Sequence, residues 1–319
     1  MVCVICNAQE AGSWLAIEKF VRAQKPVENS ADLKRFTSSV IHRYQDTLSR
    51  IKAIYVWLTE NIMYDENDNR GKNIKIDSAL KYKTAICAGY TNLFILLCDE
   101  IGVQAKEISG YATGNMYGVM TDEKFKINHA WTAVWLNGKW NLIDPTWASG
   151  YTLDGEKKFI KQRNDWYFFA APERFSRDHY PKDASWQLLK DTVSWDAFKR
   201  LPVFSLGAQE DSITAYLPGQ YIIQSRVGDS ILFSFTTKKH LSRILVKSKT
   251  KTISLVDYLD RKADTYSYHF RVPFEGVYDL SITLFDLPSE KINHDQTFDF
   301  KVDFVYQVNA SGNKQTNKM

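Results

Sequence analysis

Hydrophobic residues recur at helical spacing in two segments of the first half of the chain. The first set comprises Ile51, Ile54, Tyr55, Leu58 and Ile62, and the second comprises Tyr90, Leu93, Phe94, Leu97 and Ile101. Residues spaced in this way share one face of an α-helix, so both segments are predicted to be amphipathic helices. Asp46 is placed to cap the first helix, and Gly102 to end the second. Between them, Asp77 and Ser78 are predicted to cap a short helix over residues 79–82.

Beyond this second helix the pattern changes from helical spacing to alternation. Alternation predicts strands, here at residues 103–111, 130–136 and 139–143. Asn137 and Gly138 separate the last two strands, and this dipeptide favours a two-residue hairpin turn. Residues 159–202 are irregular and rich in aromatic side chains, and we expect them to wrap the first domain.

Short alternating runs separated by glycine or polar turns recur after Val203. They lie at residues 221–225, 230–235, 243–247, 252–256, 267–272, 277–284 and 298–305. This pattern is typical of an antiparallel β-sandwich of about immunoglobulin size. The predicted fold class is therefore α+β, with a mixed first domain followed by an all-β immunoglobulin-like sandwich. A length of 319 residues agrees with two domains.

Four segments are predicted, with boundaries set by these changes of pattern. They are an N-terminal segment at 1–25, an α+β domain at 26–202, the β-sandwich at 203–309 and a polar tail at 310–319. The content of 44% hydrophobic and 14% aromatic residues is enough for well-packed cores. With 41 basic and 37 acidic residues, the net charge of +4 gives no reason to expect nucleic-acid binding. No apolar stretch reaches the length of a membrane span.

The N-terminal cysteines leave two interpretations open. Cys3 and Cys6 form a C-x-x-C pair without a second pair or nearby histidines, which argues against a zinc site. The apolar segment Met1–Ala8 ends in a small-x-small sequence that resembles a leader cleavage site, although a basic start is missing. This segment is either the truncated end of a secretory leader or an ordinary frayed terminus. The leader interpretation favours an extracytoplasmic location over a cytoplasmic one.

One cysteine lies where a helix is predicted to begin. Cys87 opens the second amphipathic helix, and the unpaired N–H groups there favour an anion. A free thiol with a pKa of about 8.5 is only about 3% ionised at pH 7, but a helix start and an imidazolium lower that pKa. The alternative for a lone cysteine is a buried small hydrophobe. Cys98, between Leu97 and Ile101, fits that alternative, whereas Cys87 fits it poorly.

The hairpin predicts where a histidine and a carboxylate meet. A two-residue turn pairs Leu136 with Lys139, and the same register would pair Trp131 with Asp144 and His129 with Thr146. His129 and Asp144 would then be diagonal neighbours on one face, with Cα atoms about 7–8 Å apart. Asp144 is thereby predicted to accept a hydrogen bond from the imidazole. A thiol, an imidazole and a carboxylate are the groups that a thiol-based acyl-transfer enzyme uses.

Other aromatic and histidine side chains have weaker claims on the site. Trp57 and Tyr64 are candidates to reach it and donate a hydrogen bond to an oxyanion, although core packing beside Tyr64 is the commoner role for Trp57. The tryptophans of the hairpin are predicted to be core or cleft wall. The remaining histidines lack such partners in the sequence and are predicted to be structural or on the surface. They are His42, His179, His240, His269 and His294.

The segments Ile86–Tyr90, Asn128–Trp131 and Trp140–Trp147 resemble the transglutaminase-like superfamily. The downstream block resembles its kyphoscoliosis peptidase branch, through the segments Asp165–Phe169, Pro172–Phe175, His179–Pro181 and Trp186–Leu189. The resemblance implies a papain-like fold for residues 26–202. It also implies Cys87 as nucleophile, His129 as general base and acid, and Asp144 as the orienting carboxylate, with the backbone N–H of Cys87 in an oxyanion hole.

Two departures from the family pattern affect the cleft and not the reacting groups. Ile86 precedes the cysteine where the family often has glycine, and Ala148 follows the last tryptophan of the motif where the family also often has glycine. The long multi-barrel layout of calcium-dependent animal transglutaminases is absent, so the resemblance implies no calcium, no other metal and no cofactor.

The predicted function is that of a cysteine acyl-transfer enzyme, a peptidase or amidase that acts on a protein or peptide substrate through a thioester. One alternative is a transamidase that crosslinks glutamine side chains to amines, because both reactions share the acyl-enzyme. Another is a catalytically weak scaffold. In either case the β-sandwich is a candidate to bind a protein or glycan partner.

Overall fold

The computed structural model describes residues 14–65, 75–113, 126–153, 158–204, 206–248, 255–256, 259–285 and 304–312. The chain divides into two compact units, residues 1–112 with 126–192 and residues 113–125 with 193–319. The domain boundary predicted after Pro202 stays a prediction. The leader-like segment Met1–Ala8, with its two cysteines, lies outside the described residues, as does most of the predicted strand at 298–305.

The first unit begins with helices. They are α1 (residues 14–22), α2 (Ser30–Arg43), α3 (Thr47–Asn61), α4 (Ile76–Tyr82) and α5 (Cys87–Glu100). Helices α3 and α5 are those predicted from hydrophobic spacing, whereas α1 and α2 were not predicted. The Asp46 side chain caps α3 by accepting a hydrogen bond from the backbone N–H of Ser49 at 2.7 Å. Gly102 follows the end of α5 at φ +74°, the left-handed conformation that terminates helices.

The prediction for the cap of α4 is wrong. The helix begins at Ile76, so Asp77 and Ser78 lie inside its first turn, and Lys75 stands at the cap position without a side-chain hydrogen bond. An aspartate in the first turn still stabilises a helix, because its charge faces the positive end of the helix dipole. Asp77 therefore does stabilise the start of this helix, but from within the first turn and not from the cap position.

Strands and short helices complete the unit. They are β1 (Met63–Tyr64), β2 (Thr84–Ala85), β3 (Ala105–Ala112), β4 (His129–Leu136), β5 (Lys139–Ile143), α6 (Pro145–Ala148), β6 (Gly150–Leu153), β7 (Lys158–Lys161), β8 (Phe168–Ala170), α7 (Pro172–Phe175) and β9 (His179–Pro181). Five of the strands form one antiparallel sheet in the order β8-β5-β4-β3-β9. Helix α5 packs against β3, β4 and α3. This packing brings the start of α5 to the sheet.

The β4–β5 hairpin has the predicted register up to its last pair. Leu136 lies opposite Lys139, and pairing continues to Thr132 opposite Ile143. Asn137 and Gly138 have φ of +55° and +76°, as a type I′ turn requires. The pairing predicted beyond this point, His129 with Thr146 and Trp131 with Asp144, is wrong.

The chain leaves the strand because Asp144 caps α6. Its side chain accepts hydrogen bonds from the backbone N–H groups of Thr146 and Trp147. Pro145, at the first helical position, has no N–H to offer a strand partner, so it favours the helix start. The Asp144 side chain is thereby held by its own helix and still faces the start of β4.

Gly110 lets three strands approach closely beside the hairpin. It lies in β3 opposite His129 of β4 and opposite Pro181 of β9. A Cβ atom here would lie 2.4 Å from the carbonyl oxygen of Tyr180 and 2.5 Å from the ring of Trp131. Only glycine fits, and the space it leaves lets Trp131 and β9 close over the beginning of β4.

The second unit contains two short helices and two sheets. Its elements are α8 (Trp195–Phe198), β10 (Val203–Phe204), α9 (Leu206–Glu210), β11 (Ala215–Leu217), β12 (Ile222–Arg226), β13 (Ser230–Thr236), β14 (Arg243–Ser248), β15 (Leu255–Val256), β16 (Asp260–Lys262), β17 (Thr265–Arg271), β18 (Gly276–Phe285) and β19 (Phe304–Ser311). One sheet has the order β10-β19-β18-β14-β15, with β12 also paired to β19, and the other has the order β11-β13-β17-β16.

Aromatic rings of the two sheets meet inside the second unit. The ring centroids of Phe233 and Tyr306 are 5.2 Å apart, and those of Phe235 and Phe304 are 5.1 Å apart. The expectation of purely antiparallel pairing is wrong at one place, since β12 runs parallel to β19. Among the described residues, helices that combine the length and the apolar character needed to cross a membrane are absent.

Candidate active site

Cys87 is the first residue of α5, and its side chain is half-buried. Ile86 stands at the cap position and forms no side-chain hydrogen bond to the helix. The N–H groups of the first turn have no partner within an α-helix. Since an aliphatic side chain does not fill that need, the start of α5 keeps its positive character beside the thiol. The helix start thus favours the thiolate form of Cys87.

The thiol contacts β4 as well as its own helix. It lies close enough to the side chain of His129 and to the backbone of Ala130 for both to act on its pKa. Burial raises the pKa of the Cys87 thiol, but the interactions with His129 and with the backbone of Ala130 outweigh burial and hold the pKa below its ordinary value. The structure therefore brings together the cysteine and the histidine that the sequence nominated from segments 42 positions apart.

His129 is the first residue of β4 and is 7% exposed. Its Nε2 lies 2.7 Å from Oδ2 of Asp144, which leaves Nδ1 for the thiol. Burial disfavours the charged ring, yet the charge and hydrogen bond of Asp144, together with the thiol, raise the pKa of His129 to about 10. At neutral pH the favoured form of the ring is therefore the imidazolium, which faces the Asp144 carboxylate.

Asn128 fixes the backbone just before this histidine. Its amide oxygen accepts a hydrogen bond from the N–H of Ala112, and its amide nitrogen donates to the carbonyl oxygen of Ala112, both at 2.9 Å. The side chain thus continues the β3–β4 ladder by one step where main-chain pairing stops. Asn128 was quoted as part of a motif, but its positioning role was not predicted.

Asp144 is completely buried and uses both of its oxygens. Oδ1 accepts the backbone N–H groups of Thr146 and Trp147 at 2.8 and 3.2 Å. Oδ2 faces Nε2 of His129 at 2.7 Å and Nε2 of His179 at 3.1 Å. Burial raises the pKa of this carboxyl, but the two histidines outweigh burial and hold it well below its usual range.

His179 corrects the sequence-based prediction that it stands alone. It is the first residue of β9, is 1% exposed, and lies between Asp144 and Asp178. Its Nδ1 is 2.6 Å from Oδ1 of Asp178, whose Oδ2 accepts a hydrogen bond from the hydroxyl of Tyr167 at 2.6 Å. The signal that could have found it is an aspartate directly before a histidine, inside the block that resembles the kyphoscoliosis peptidase branch.

Trp57 and Tyr64 lie in or against the core of the first unit. Trp57 is 3% exposed, and its ring packs 5.5 Å from that of Phe36. Tyr64 packs 6.3 Å from Phe159 and lies near enough to Tyr90 to help raise the pKa of that phenol. The oxyanion-donor role suggested for Trp57 and Tyr64 stays a prediction.

His129, Asp144 and His179 also form a cluster of metal-ligand types, with their ligand atoms within 4.8 Å of one another. Their geometry is that of hydrogen bonds. Ligand atoms about 2.0–2.1 Å from a tetrahedral metal lie roughly 3.3 Å apart, whereas Nε2 of His129 and Oδ2 of Asp144 are 2.7 Å apart. The separation of these two atoms is thus that of a hydrogen-bonded pair.

The chain is similar in sequence to a known superfamily and to named relatives. A family model described as the transglutaminase-like superfamily matches residues 34–145, which include Cys87, His129 and Asp144. The mouse kyphoscoliosis peptidase is 33% identical over 187 residues, and the human one is 34% identical over 180 residues. The chain carries a transglutaminase-like domain of the kyphoscoliosis peptidase-like branch.

The similarity is limited in extent. It covers 57% and 54% of this chain but only 28% and 27% of the mouse and human relatives. Among solved structures, a TGase crystal structure is similar at 16% identity over 49% of this chain and 37% of that one, with a TM-score of 0.30. That TM-score is too low to support an argument about this fold.

Proposed function

We propose that this chain is a cysteine acyl-transfer enzyme that hydrolyses amide bonds of protein or peptide substrates through a thioester. The observation that carries the proposal is that the Cys87 thiol lies where His129 lowers its pKa, while Nε2 of His129 lies 2.7 Å from Oδ2 of Asp144. A thiol with a lowered pKa beside an imidazole that a carboxylate orients is the arrangement that activates sulfur as a nucleophile. Membership in a superfamily that includes cysteine peptidase-like proteins supports it further.

In the first half of the reaction, the Cys87 thiolate attacks the carbonyl carbon of the amide. A C–S bond forms, and the carbonyl oxygen becomes an oxyanion. The backbone N–H of Cys87, at the start of α5, is placed to donate to that oxygen. His129 then gives its Nδ1 proton to the leaving nitrogen, the C–N bond breaks, and an amine departs from the thioester.

In the second half, water attacks the thioester carbon. Neutral His129 takes a proton from this water through Nδ1 and keeps it while the C–S bond breaks and the sulfur departs as a thiolate, so the thiolate–imidazolium pair is restored and a carboxylic acid leaves. Asp144 keeps Nε2 protonated throughout, which fixes the ring so that Nδ1 faces the sulfur. Its remaining oxygen stays on the N–H groups of α6 and keeps the carboxylate from turning.

The second unit is proposed as an immunoglobulin-like β-sandwich that accompanies the reactive domain. Support comes from the two sheets whose aromatic rings meet, among them Phe233 with Tyr306. A protein or glycan partner for this module stays a prediction. Deletion of the module is not required for the test below, which uses the whole chain.

The test follows the fate of amide bonds in a mixed library of end-blocked peptides, incubated with the whole chain in ¹⁸O-labelled water. A peptidase or amidase places ¹⁸O in new carboxyl groups, either at cleaved backbone positions or at former glutamine side chains. A parallel incubation adds a fluorescent primary amine. Digestion of a rapidly acidified sample, followed by mass spectrometry of its peptides, is expected to detect the acyl group on a peptide containing Cys87.

Two variants serve as controls, Cys87→Ala and Cys98→Ala. The proposal predicts that ¹⁸O incorporation disappears in the first and persists in the second. Incorporation retained by Cys87→Ala would contradict the proposal. If more amine than ¹⁸O is incorporated into the peptides in the parallel incubation, the reaction is transamidation and not hydrolysis. The acyl-enzyme intermediate would still stand in that case.

A further inference from the structure

The strongest unassigned feature is the buried histidine on the far side of Asp144. His179 is enclosed by carboxylates at both of its ring nitrogens, with Nε2 at 3.1 Å from Asp144 and Nδ1 at 2.6 Å from Asp178. None of these three side chains is more than 1% exposed. Water therefore has little access to compensate a poorly matched group, and the protonation of His179 must suit the two carboxylates.

Hydrogen-bond chemistry decides which form of His179 fits. A neutral imidazole has one donor and one acceptor, so one of its nitrogens would point a lone pair at a carboxylate oxygen. The imidazolium has two donors and satisfies both carboxylates. Burial lowers the pKa of His179, but the charges and hydrogen bonds of Asp178 and Asp144 outweigh burial and raise it. The doubly protonated ring is the form that matches its surroundings.

Aromatic rings surround the remaining faces of His179. The centroids of Phe175, Trp147, Trp131 and Tyr167 lie 4.2, 4.5, 5.0 and 5.5 Å from that of the imidazole. Aromatic faces attract a cation and exclude water. The cage therefore holds the ring in place without offering it an alternative hydrogen-bond partner, and the only polar directions open to it are the two carboxylates.

The titratable groups that face His179 come from every element packed around it. Asp144 at the start of α6, His129 of β4, and Asp178 and Tyr167 on the opposite side all act on it. The guanidinium of Arg174 in α7 lies near enough to Asp178 for their charges to interact. His179 thus lies between two sets of charged groups, Asp144 with His129 on one side and Asp178 with Arg174 on the other.

We propose that His179 is a positioning residue whose imidazolium, clamped between Asp144 and Asp178, fixes the Asp144 carboxylate and withdraws part of its charge from His129. The inference rests on the proposed function, because its consequence is a change in the pKa of His129, which pairs with the Cys87 thiol. Asp144 shares one oxygen, Oδ2, between two imidazoles. Each imidazole therefore limits how strongly the carboxylate can hold the proton of the other.

This sharing has a measurable consequence. With the charge of His179 removed, Asp144 would act on His129 alone, and the pKa of His129 would rise. At a centroid separation of 5.4 Å, a unit charge in a medium of effective dielectric constant near 20 shifts a pKa by about two units. Without its cation, the Asp178 carboxylate would itself be more readily protonated, and the loss of its negative charge would offset part of this rise, so we expect a rise of about one unit.

The first test does not depend on activity. NMR of the whole chain with ¹⁵N-labelled histidine distinguishes a doubly protonated ring from either neutral tautomer. His179, identified by the loss of its signals in a His179→Gln variant, is expected to keep both nitrogens protonated from pH 5.5 to 8.5. A neutral tautomer of His179 at pH 7 would overturn the proposal.

The second test compares His179→Gln with Phe175→Leu. Glutamine can still donate one hydrogen bond to Asp144 but carries no charge, whereas Phe175→Leu loosens the packing on the same ring without changing any charge. The rate at which iodoacetamide alkylates Cys87 is measured from pH 5 to 11. In the wild type we expect its upper inflection, which reports His129, near pH 10, and we expect His179→Gln to move it up by about one unit. Phe175→Leu is expected to leave it in place.

The outcomes separate this inference from the proposed function. If the wild type alkylates Cys87 with a low first inflection but His179→Gln leaves the upper inflection unchanged, His179 is merely structural and the acyl-transfer proposal stands. If the wild type shows the single inflection of an ordinary thiol, the proposed function fails first. If Phe175→Leu moves the inflection as far as His179→Gln does, packing and not charge is responsible, and the inference is wrong.

Discussion

Helix α5 carries a cysteine near each end, and the two differ in almost every physical respect. Cys87, the first residue, is half-buried, and a histidine and a backbone N–H hold the pKa of its thiol below the ordinary value. Cys98, eleven positions later, is fully buried, and burial raises the pKa of its thiol well above the ordinary value. One helix therefore contains both a thiol poised to ionise and a thiol kept neutral.

The difference shows that the chemistry lies in the surroundings of a cysteine and not in its residue type. Cys98 joins the core between α5 and the sheet and behaves as a small hydrophobic side chain. Cys87 combines an uncapped helix start with the imidazole of β4.

The largest effect is expected from removing each thiol in turn. Cys87→Ala should remove the thiol that iodoacetamide labels fastest in the folded protein at pH 7 and leave only the labelling of Cys3 and Cys6. Cys98→Ala should leave the labelling of Cys87 within about twofold and lower the free energy of unfolding by about 1–2 kcal/mol, because it opens a small cavity. Peptide mapping and urea unfolding measure these two results. Equal labelling of both variants would end the contrast between the cysteines.

Asp144→Asn should lower turnover of a hydrolysed peptide by about 10³–10⁴-fold, because an amide group facing Nε2 of His129 favours the wrong tautomer. The fold should persist, since asparagine can still accept the N–H groups of α6 through its Oδ1. Steady-state kinetics and circular dichroism measure these effects.

Asp46→Asn is the matched control for this substitution, because Asp46 is another aspartate that caps a helix, α3, through its side chain. Its turnover should stay within twofold of wild type. If Asp144→Asn retained near-normal turnover, the carboxylate would have no orienting role.

Gly110→Ala should destabilise the first unit by about 2–4 kcal/mol, because the new methyl group would meet the backbone of β9 and the ring of Trp131. Gly138→Ala provides the comparison, since its Cβ would meet nothing within 4 Å and only its φ of +76° is unfavourable. That variant should cost about 1 kcal/mol. Urea unfolding monitored by tryptophan fluorescence measures both, and equal costs would mean that the close approach at Gly110 is not required.

The sequence predicted those parts of the structure that local patterns control. Helices α3 and α5 follow from hydrophobic spacing, and the β4–β5 register follows from Asn137–Gly138. The end of the hairpin was mispredicted because Asp144 and Pro145 start a helix there, and cap formation outweighed continued strand pairing. The turn residues Asn137–Gly138 and the helix-start residues Asp144–Pro145 were both visible in the sequence, but the predicted register took only the turn into account.

His179 shows what local patterns could not reveal. Its second carboxylate partner, Asp144, lies 35 positions away, and β9 lies beside β3 at Gly110, where a Cβ atom would not fit. Such a contact depends on the order of strands in the sheet, which no periodicity encodes. The same is true of the contact between Cys87 and His129, which the sequence supported by family resemblance alone.

The most direct test of the central claim is the ultraviolet absorbance of the Cys87 thiolate against pH, taken as the difference between wild type and Cys87→Ala. Thiolate absorbance near 240 nm appears as the pH rises through the pKa of the thiol and is lost below it. Because the pKa of Cys87 is lowered, the inflection of the difference signal should lie at a more acidic pH than that of a free thiol. An inflection at or above pH 8.5, the value of a free thiol, would contradict the account.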